Sequence, residues 1–450
     1  MSTLTPVETD RPITDRSELI SWLAAGAHAA DQLFIGAEME ALIVDTATGA
    51  AADFARIEAL LLQLENIGPW RGQYENGHLV GLMGERSSIT LEPGGQIELS
   101  GALCRDVHCS HRDYLSYLAQ IAHRGRELGL TFLGLGTQPF SQRNEISWLP
   151  KDRYAIMAHI MEKTGRYGQD MMKRSAGLQV NLDFTDEADC MAKLRLAQQL
   201  APLLYALFAN SPLLDGQPTG YLSTRGLIWG DTDPTRCGLI PTLLADNASF
   251  ATYVDYALQV PMYFIIRSGR YIDLTGQRFT FGQFLAEGYA GHRALPGDWS
   301  LHQSTLFTEV RLRPQIEIRS ADSLPGPLTL SVSALLKGLF YDADARYEMG
   351  RLLAKQDLTE AYRLAPRLGL RTPCGSTTLQ QIAIEALALA RDGLRRQRRP
   401  DCSTDETAYL NGLDDIAESG VTLAERLLSR WHGSHTDKLA ALYAHAALPA

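Results

Sequence analysis

Four glutamates sit where their side chains can gather on one face of a sheet. In IGAEME, residues 35–40, Glu38 and Glu40 are two apart. Alternate residues of a strand share a face, about 6.6 Å apart. In SITLEPGGQIELS, residues 88–100, Glu92 precedes the turn Pro93-Gly94-Gly95 and Glu98 follows it. A two-residue loop would oppose Glu92 to Ile97 and mix polar with apolar faces. A three-residue loop opposes Glu92 to Gln96 and Thr90 to Glu98. Ser88, Thr90, Glu92, Gln96, Glu98 and Ser100 then share one side, and Ile89, Leu91, Ile97 and Leu99 the other. Because a one-residue slip would flip every side chain, the pattern selects the three-residue loop, with Gly95 as its left-handed residue.

Two further segments carry polar rows of the same kind. In QVNLDF, Gln179, Asn181 and Asp183 alternate with apolar residues. In TEVRLRPQIEIRS, Glu309, Arg311 and Arg313 form one row and Gln315, Glu317 and Arg319 another. A solvated face of an antiparallel sheet also shows such alternation. Clustered same-face acids, however, repel one another unless cations sit among them. Mg²⁺ takes oxygen ligands, one or two of them carboxylates, together with substrate phosphates. Arginines beside it grip phosphate or carboxylate bidentately. Acids and arginines on one face are the composition of a metal–nucleotide phosphoryl-transfer site.

Other motifs add little. There is no GxxxxGK[ST], so an ATP site here is not a P-loop, and no GxSxG elbow. GLGTQP, with Gly134 and Gly136, reads as a loop. Cys104, His108, Cys109 and His111 match no zinc template. The stretch from Arg225 to Arg236, RGLIWGDTDPTR, sets Trp229 among arginines and aspartates; an ordered surface loop and a substrate cover both fit it. RDGLRRQRRP, residues 391–400, reads as a basic helix end.

These residues need elements to carry them. Helical patterns cover residues 16–30, 53–67, 113–128, 154–164, 187–209 and 249–258, and strand patterns fall between them. After about residue 326 the pattern is helical, broken at LAPRLGLRTPCGS and RRPDCST. Without regular βαβα alternation, the expectation is α+β with an antiparallel sheet. The chain has 450 residues, 45% hydrophobic and 21% charged, with net charge −10. That charge disfavours nucleic acid, no stretch is long and apolar enough to span a membrane, and no secretory signal is visible. Six scattered cysteines without CxxC suggest reduced thiols and a cytoplasmic setting.

In IGAEME, SITLEPGGQIELSGA, FLGLGTQP, LPKDRYAIM, QVNLDF, DTDPTR, YVDYALQVPMYF, RYIDLTG and EVRLRPQIEIRSAD, the sequence resembles the plant-type glutamate–cysteine ligases, which also occur in proteobacteria. The resemblance covers residues 34–322 and implies a curved antiparallel sheet forming a funnel, as in glutamine synthetase, with helices outside. The chain is expected to form one structural domain, with an N-terminal helical arm over 1–30, a catalytic antiparallel-sheet core over 31–345 and a helical C-terminal region over 346–450 packed on that core. The reaction implied is ATP-dependent joining of glutamate to cysteine through a γ-glutamyl phosphate, the first step of glutathione synthesis. The alternative is a ligase of the same fold that uses another amine, or that supplies γ-glutamylcysteine to another thiol pathway. Glu38, Glu40, Glu92 and Glu98 match positions expected to hold Mg²⁺, with Mn²⁺ as a substitute. Arg311, Arg313 and Arg319 match positions expected to hold phosphate or glutamate. Gln96, Gln179, Asn181, Arg225, Trp229, Arg236, Glu309 and Glu317 complete the expected substrate and nucleotide contacts. Partners are glutamate, cysteine and ATP, with room for a homodimer. The plant EHEK reads EMEA here, leaving both acids in place. The positions of the plant regulatory cysteines are occupied by His111, Leu274 and the loop near Ala294, so those bridges are not expected.

Overall fold

β1 (Ile35–Asp45) is the axis of the molecule. The computed structural model describes residues 11–398 and 405–449. β1 pairs with β5 (Ile97–Ser100) on one side and β7 (Gly177–Leu182) on the other, and its second half pairs with β6 (Leu130–Leu133). The sheet has nine strands. Beyond β5 come β4 (Ser88–Leu91), β3 (His78–Met83) and β2 (Arg71–Glu75); beyond β7 come β9 (Ile316–Asp322) and β8 (Val310–Leu312). Every pairing in it is antiparallel. The expected α+β class with an antiparallel sheet is what the chain adopts.

Period-2 patterning decides which face is which. Ile35, Ala37, Met39, Ala41 and Ile43 of β1 are buried in the main core. That core also holds the apolar stripes of α2 (Phe54–Ile67) and α3 (Val107–Glu127). The opposite face of β1 reads Glu38, Glu40, Leu42, Val44. Its last two residues enter a second core with Leu133, Trp431 and Leu442, so the polar patch ends where the C-terminal helices cover the sheet. The main core runs from Ile13 to Leu423, through all three segments. Among the described residues no helix is long and apolar enough to cross a membrane.

Helix starts follow their caps. Asp53 accepts from the Arg56 amide and opens α2. Asp106 accepts from Cys109 and opens α3 six residues before the expected start at 113, because its cap outranks the weak periodicity of VHCSHR. The stretch at 225–236, expected as a loop, begins with a short helix, α7 (Thr224–Gly230), capped by Ser223. The expectation of reduced cysteines is corrected at one pair. Cys104 and Cys109 are joined by a disulfide, while Cys190, Cys237 and Cys374 are free. The bridge closes because the early start of α3 turns Cys109 back to face Cys104. Cys402 and the end of the basic run lie outside the described residues.

Candidate active site

The turn between β4 and β5 has the three-residue register. Thr90 pairs with Glu98 and Ser88 with Ser100, and the Glu92 amide donates to the Gln96 carbonyl at 2.9 Å. Gly95 has φ +86° and its amide closes the turn on the Glu92 carbonyl at 2.8 Å. Gly94 matters for a different reason: a Cβ there would lie 2.2 Å from the Lys173 carbonyl oxygen. Lys173 is in α5 (Gly168–Arg174), so the turn is pressed backbone-to-backbone against that helix. Gln96 holds this contact. Its Nε2 donates to the Ser175 and Met172 carbonyls at 2.8 and 3.2 Å, and its Oε1 accepts from Gly94. Its amide is therefore engaged with the backbone, although Gln96 also lines the pocket.

That pocket opens on the polar face of the sheet. Glu38, Glu40, Glu92 and Glu98 all line it. β1 and β5 set Glu40 directly opposite Glu98. Glu40 accepts from the Gly177 amide at 2.6 Å and from Gln179 Nε2 at 2.9 Å. Glu38 Oε1 accepts from Asn181 Nδ2 at 3.2 Å, while its Oε2 is buried without a donor. Burial pushes Glu40 up to about 8, with Glu92 and Glu98 adding repulsion. Burial raises Glu38 as well, helped by Glu317 and Glu98, and it raises Glu92, helped by Glu98. Acids held this unfavourably, one with an orphaned buried oxygen, fit a divalent cation. Among the described residues no three of them bring oxygens within 4.8 Å of one another. The four carboxylates therefore line one pocket without closing into a single tight cluster.

The three expected arginines divide sharply. β9 carries a register shift between Ile318 and Ala321 opposite β7. Arg319 sits in this bulge, which aims it into the pocket. Its Nη1 donates to Gln179 and Glu317, its Nε is buried without an acceptor, and its guanidinium lies 5.4 Å from the Trp229 ring. Arg311 also borders the pocket, but its donors are occupied. Nε and Nη2 bind Glu317 at 3.1 and 2.6 Å, and Nη1 binds the Leu306 and Ser304 carbonyls. Burial alone would raise Glu317, but Arg311, Arg319 and Arg313 outweigh it and hold it at about 2. Glu317 is thus a fixed anion that orients arginines. Arg313 falls in the turn after β8 and does not line the pocket.

Several other expected contacts are structural. Glu309 lies in the bend between the short strand Phe307–Thr308 and β8, so strand alternation does not carry through it. Its carboxylate accepts from Tyr205, Tyr362 and Ser320 outside the pocket. Arg236 pairs with Asp233, donates to the Thr305 and Pro261 carbonyls, and lies 3.7 Å over Tyr263, tying loops together elsewhere. Gln179 and Trp229 line the pocket; Asn181 and Arg225 stand behind it. Arg225 donates to the Arg319 carbonyl at 2.8 Å and lies 5.4 Å from the opposite partner of Arg319, the Trp229 ring.

Reading polar strand rows passes over the pocket's helical wall. Lys151 and Arg153 come from the start of α4 (Asp152–Thr164). Burial lowers Lys151 to about 8 despite Glu92 nearby. Met157, Met171 and Met172 supply an apolar, sulfur-rich side. The only sequence signal for Lys151, Arg153 and Met157 is the run LPKDRYAIM, whose basic residues lie on no strand.

The comparisons with known proteins agree with one another. The model of glutamate-cysteine ligase family 2 matches residues 34–445. The chloroplastic glutamate–cysteine ligases of Arabidopsis thaliana and Brassica juncea are each 40% identical over 431 residues. These cover 94% of this chain and 80% and 82% of theirs. Among solved structures, the glutamate–cysteine ligase from Francisella tularensis in complex with AMP superposes with TM-score 0.54 at 12% identity. The match covers 92% of this chain and 88% of that one. A bifunctional glutathione synthetase from Pasteurella multocida gives TM-score 0.51 at 13% identity, covering 96% of this chain and 53% of that one. At such identities these two show a shared fold.

Proposed function

The chain belongs to glutamate-cysteine ligase family 2, and from that premise we infer that its pocket joins the γ-carboxylate of glutamate to the amine of cysteine at the expense of ATP. The observation that carries this reading is the meeting of four acids with Arg319 and Lys151 around one pocket. A carboxylate does not react with an amine unaided. Its oxygen attacks the γ-phosphorus of ATP, ADP leaves, and a γ-glutamyl phosphate forms. The amine of cysteine then attacks the carbonyl carbon and phosphate leaves.

Glu38, Glu40, Glu92 and Glu98 would hold Mg²⁺, or Mn²⁺ in its place. When bound, the cation supplies charge neutralisation for the triphosphate. Arg319 presents its unengaged Nε toward the transferring phosphoryl group, and Gln179 and Glu317 keep its guanidinium from swinging away. Arg311 acts one step back, by locking Glu317. Lys151, buried beside Glu92, offers a second positive charge to the phosphates. The methionine wall suits a small thiol side chain and offers no charge to a basic or acidic amine acceptor.

The test is phosphate release from ATP with glutamate, Mg²⁺ and a panel of amines at equal concentration. Cysteine-dependent release is expected. Release that does not depend on cysteine, or that another amine supports better, overturns this reading.

A further inference from the structure

The Cys104–Cys109 bridge lies outside the pocket and plays no part in the chemistry above. Cys104 is buried, 1% exposed, and its backbone is fixed to β1: Ile35 donates to the Cys104 carbonyl at 2.7 Å, and Cys104 donates to Ile35 at 2.8 Å. Cys109 is half-buried in the first turn of α3, and its amide is held by the cap Asp106 at 2.8 Å. Asp113, one turn further on, accepts from the Ala102 amide at 3.3 Å. Both backbones are therefore placed by other contacts, with Cα atoms 5.6 Å apart. A pair positioned in this way closes or opens without rebuilding its surroundings.

The helix start also has anchors that do not involve sulfur. Val107 donates to Glu406 at 2.7 Å, Glu406 pairs with Lys337, and His108 and His111 both approach the Tyr409 hydroxyl. Opening the bridge leaves these in place.

We propose that Cys104 and Cys109 form a thiol–disulfide exchange site for low-molecular-weight disulfides, a redox modification that stiffens the junction between β5 and α3. Cys109, the more exposed sulfur, attacks one sulfur of RS–SR as its thiolate and expels RS⁻. Cys104 then attacks the Cys109 sulfur of the mixed disulfide and expels the second RS⁻. The two protons lost by the cysteines pass to the two expelled thiolates. The protein is oxidised by two electrons and RS–SR is reduced to two RSH. Excess RSH drives the same steps backward. Cystine, the disulfide of the amine substrate proposed above, belongs to this class, though the exchange does not depend on the ligase reading.

The experiment equilibrates the full chain with cystine or with excess cysteine, alkylates the free thiols and digests with trypsin. Cleavage at Arg105 falls between the two cysteines. In the cystine sample, peptides 87–105 and 106–112 are expected joined and unalkylated; in the cysteine sample, separate and alkylated. The oxidised chain should melt about 2–4 °C above the reduced chain, as closing a short loop predicts for a protein of this size. Cys109→Ser should abolish that difference and keep kcat within about twofold of wild type. Alkylation of both sulfurs in excess cystine overturns the proposal. So does a bridge to a different cysteine, or a melting difference that persists in Cys109→Ser.

Discussion

Glu40 and Glu98 are direct cross-strand partners, two carboxylates facing each other on adjacent antiparallel strands. Burial pushes Glu40 up to about 8, with Glu92 and Glu98 adding repulsion, whereas Glu98 stays below the usual carboxylate range against its own burial, helped by hydrogen bonds from Ser100 and Thr90. Glu98 accepts from Ser100 and Thr90 through one oxygen, Oε1. A glutamine can keep both bonds and remove the charge. Glu98→Gln is therefore expected to stay folded yet to lose at least ~100-fold in kcat/KM, because the charge that would meet a cation is gone. A folded, fully active variant would contradict the ligand assignment.

The turn at 93–95 makes a second contrast. Gly95→Ala places a side chain at φ +86°, a strain of about 1–2 kcal/mol. Gly94→Ala needs no left-handed backbone, but its Cβ would meet the Lys173 carbonyl, which is main chain and cannot rotate away. Gly94→Ala is expected to destabilise more than Gly95→Ala in urea unfolding and to raise the KM for ATP by displacing Glu92. The reverse order would show that α5 shifts freely.

How much of this was legible depends on whether period 2 held. Along β1, β4, β5 and β7 it did, so Glu38, Glu40, Glu92, Glu98 and Gln179 were placed on the right face from the sequence alone. At Glu309 a bend between two short strands reset the alternation, and the side chain left the row. At Arg319 a bulge opposite Gln179 re-aimed a residue whose identity was legible but whose environment was not. Lys151 and Arg153 were invisible to strand logic because a helix start delivers them. The bridge depended on a cap, Asp106, that moved the start of α3.

Acid sensitivity has identified sources away from the site. Burial lowers His302 to about 3 and His445 to about 4. His302 Nε2 lies 2.9 Å from the Ala257 carbonyl, while Nδ1 is buried without a partner. A base with a depressed folded pKa contributes stability that is complete above its unfolded value, about 6.5. That contribution is lost as pH falls through 6.5 toward the folded value. Between pH 6 and 4.5, each histidine should therefore contribute a slope of up to about 1.4 kcal/mol per pH unit to the decline. His302→Leu should start less stable at pH 7.5 and decline less steeply. An unchanged slope in denaturant titrations across that range would rule out His302 as a source.

The arginines give the sharpest separation of roles. Arg319 combines a bulge-directed position, an unengaged Nε and a stack near Trp229. Lysine keeps one charge but not the planar fork, so Arg319→Lys should lower kcat/KM by about 10²–10³-fold with a small change in melting temperature. Arg236 has the same chemistry in a different place, clamped on Asp233, Thr305, Pro261 and Tyr263. Arg236→Lys should therefore lower stability by about 2–4 kcal/mol and leave the kcat of the folded fraction within a few-fold. Arg313→Lys, in the turn after β8, should change neither by much. Steady-state kinetics and thermal melting of all three separate the readings, because a shared catalytic role would lower kcat/KM in each of them. Loss confined to Arg319 means that the bulge in β9, rather than the density of arginines in EVRLRPQIEIRS, places the charge that acts on phosphate.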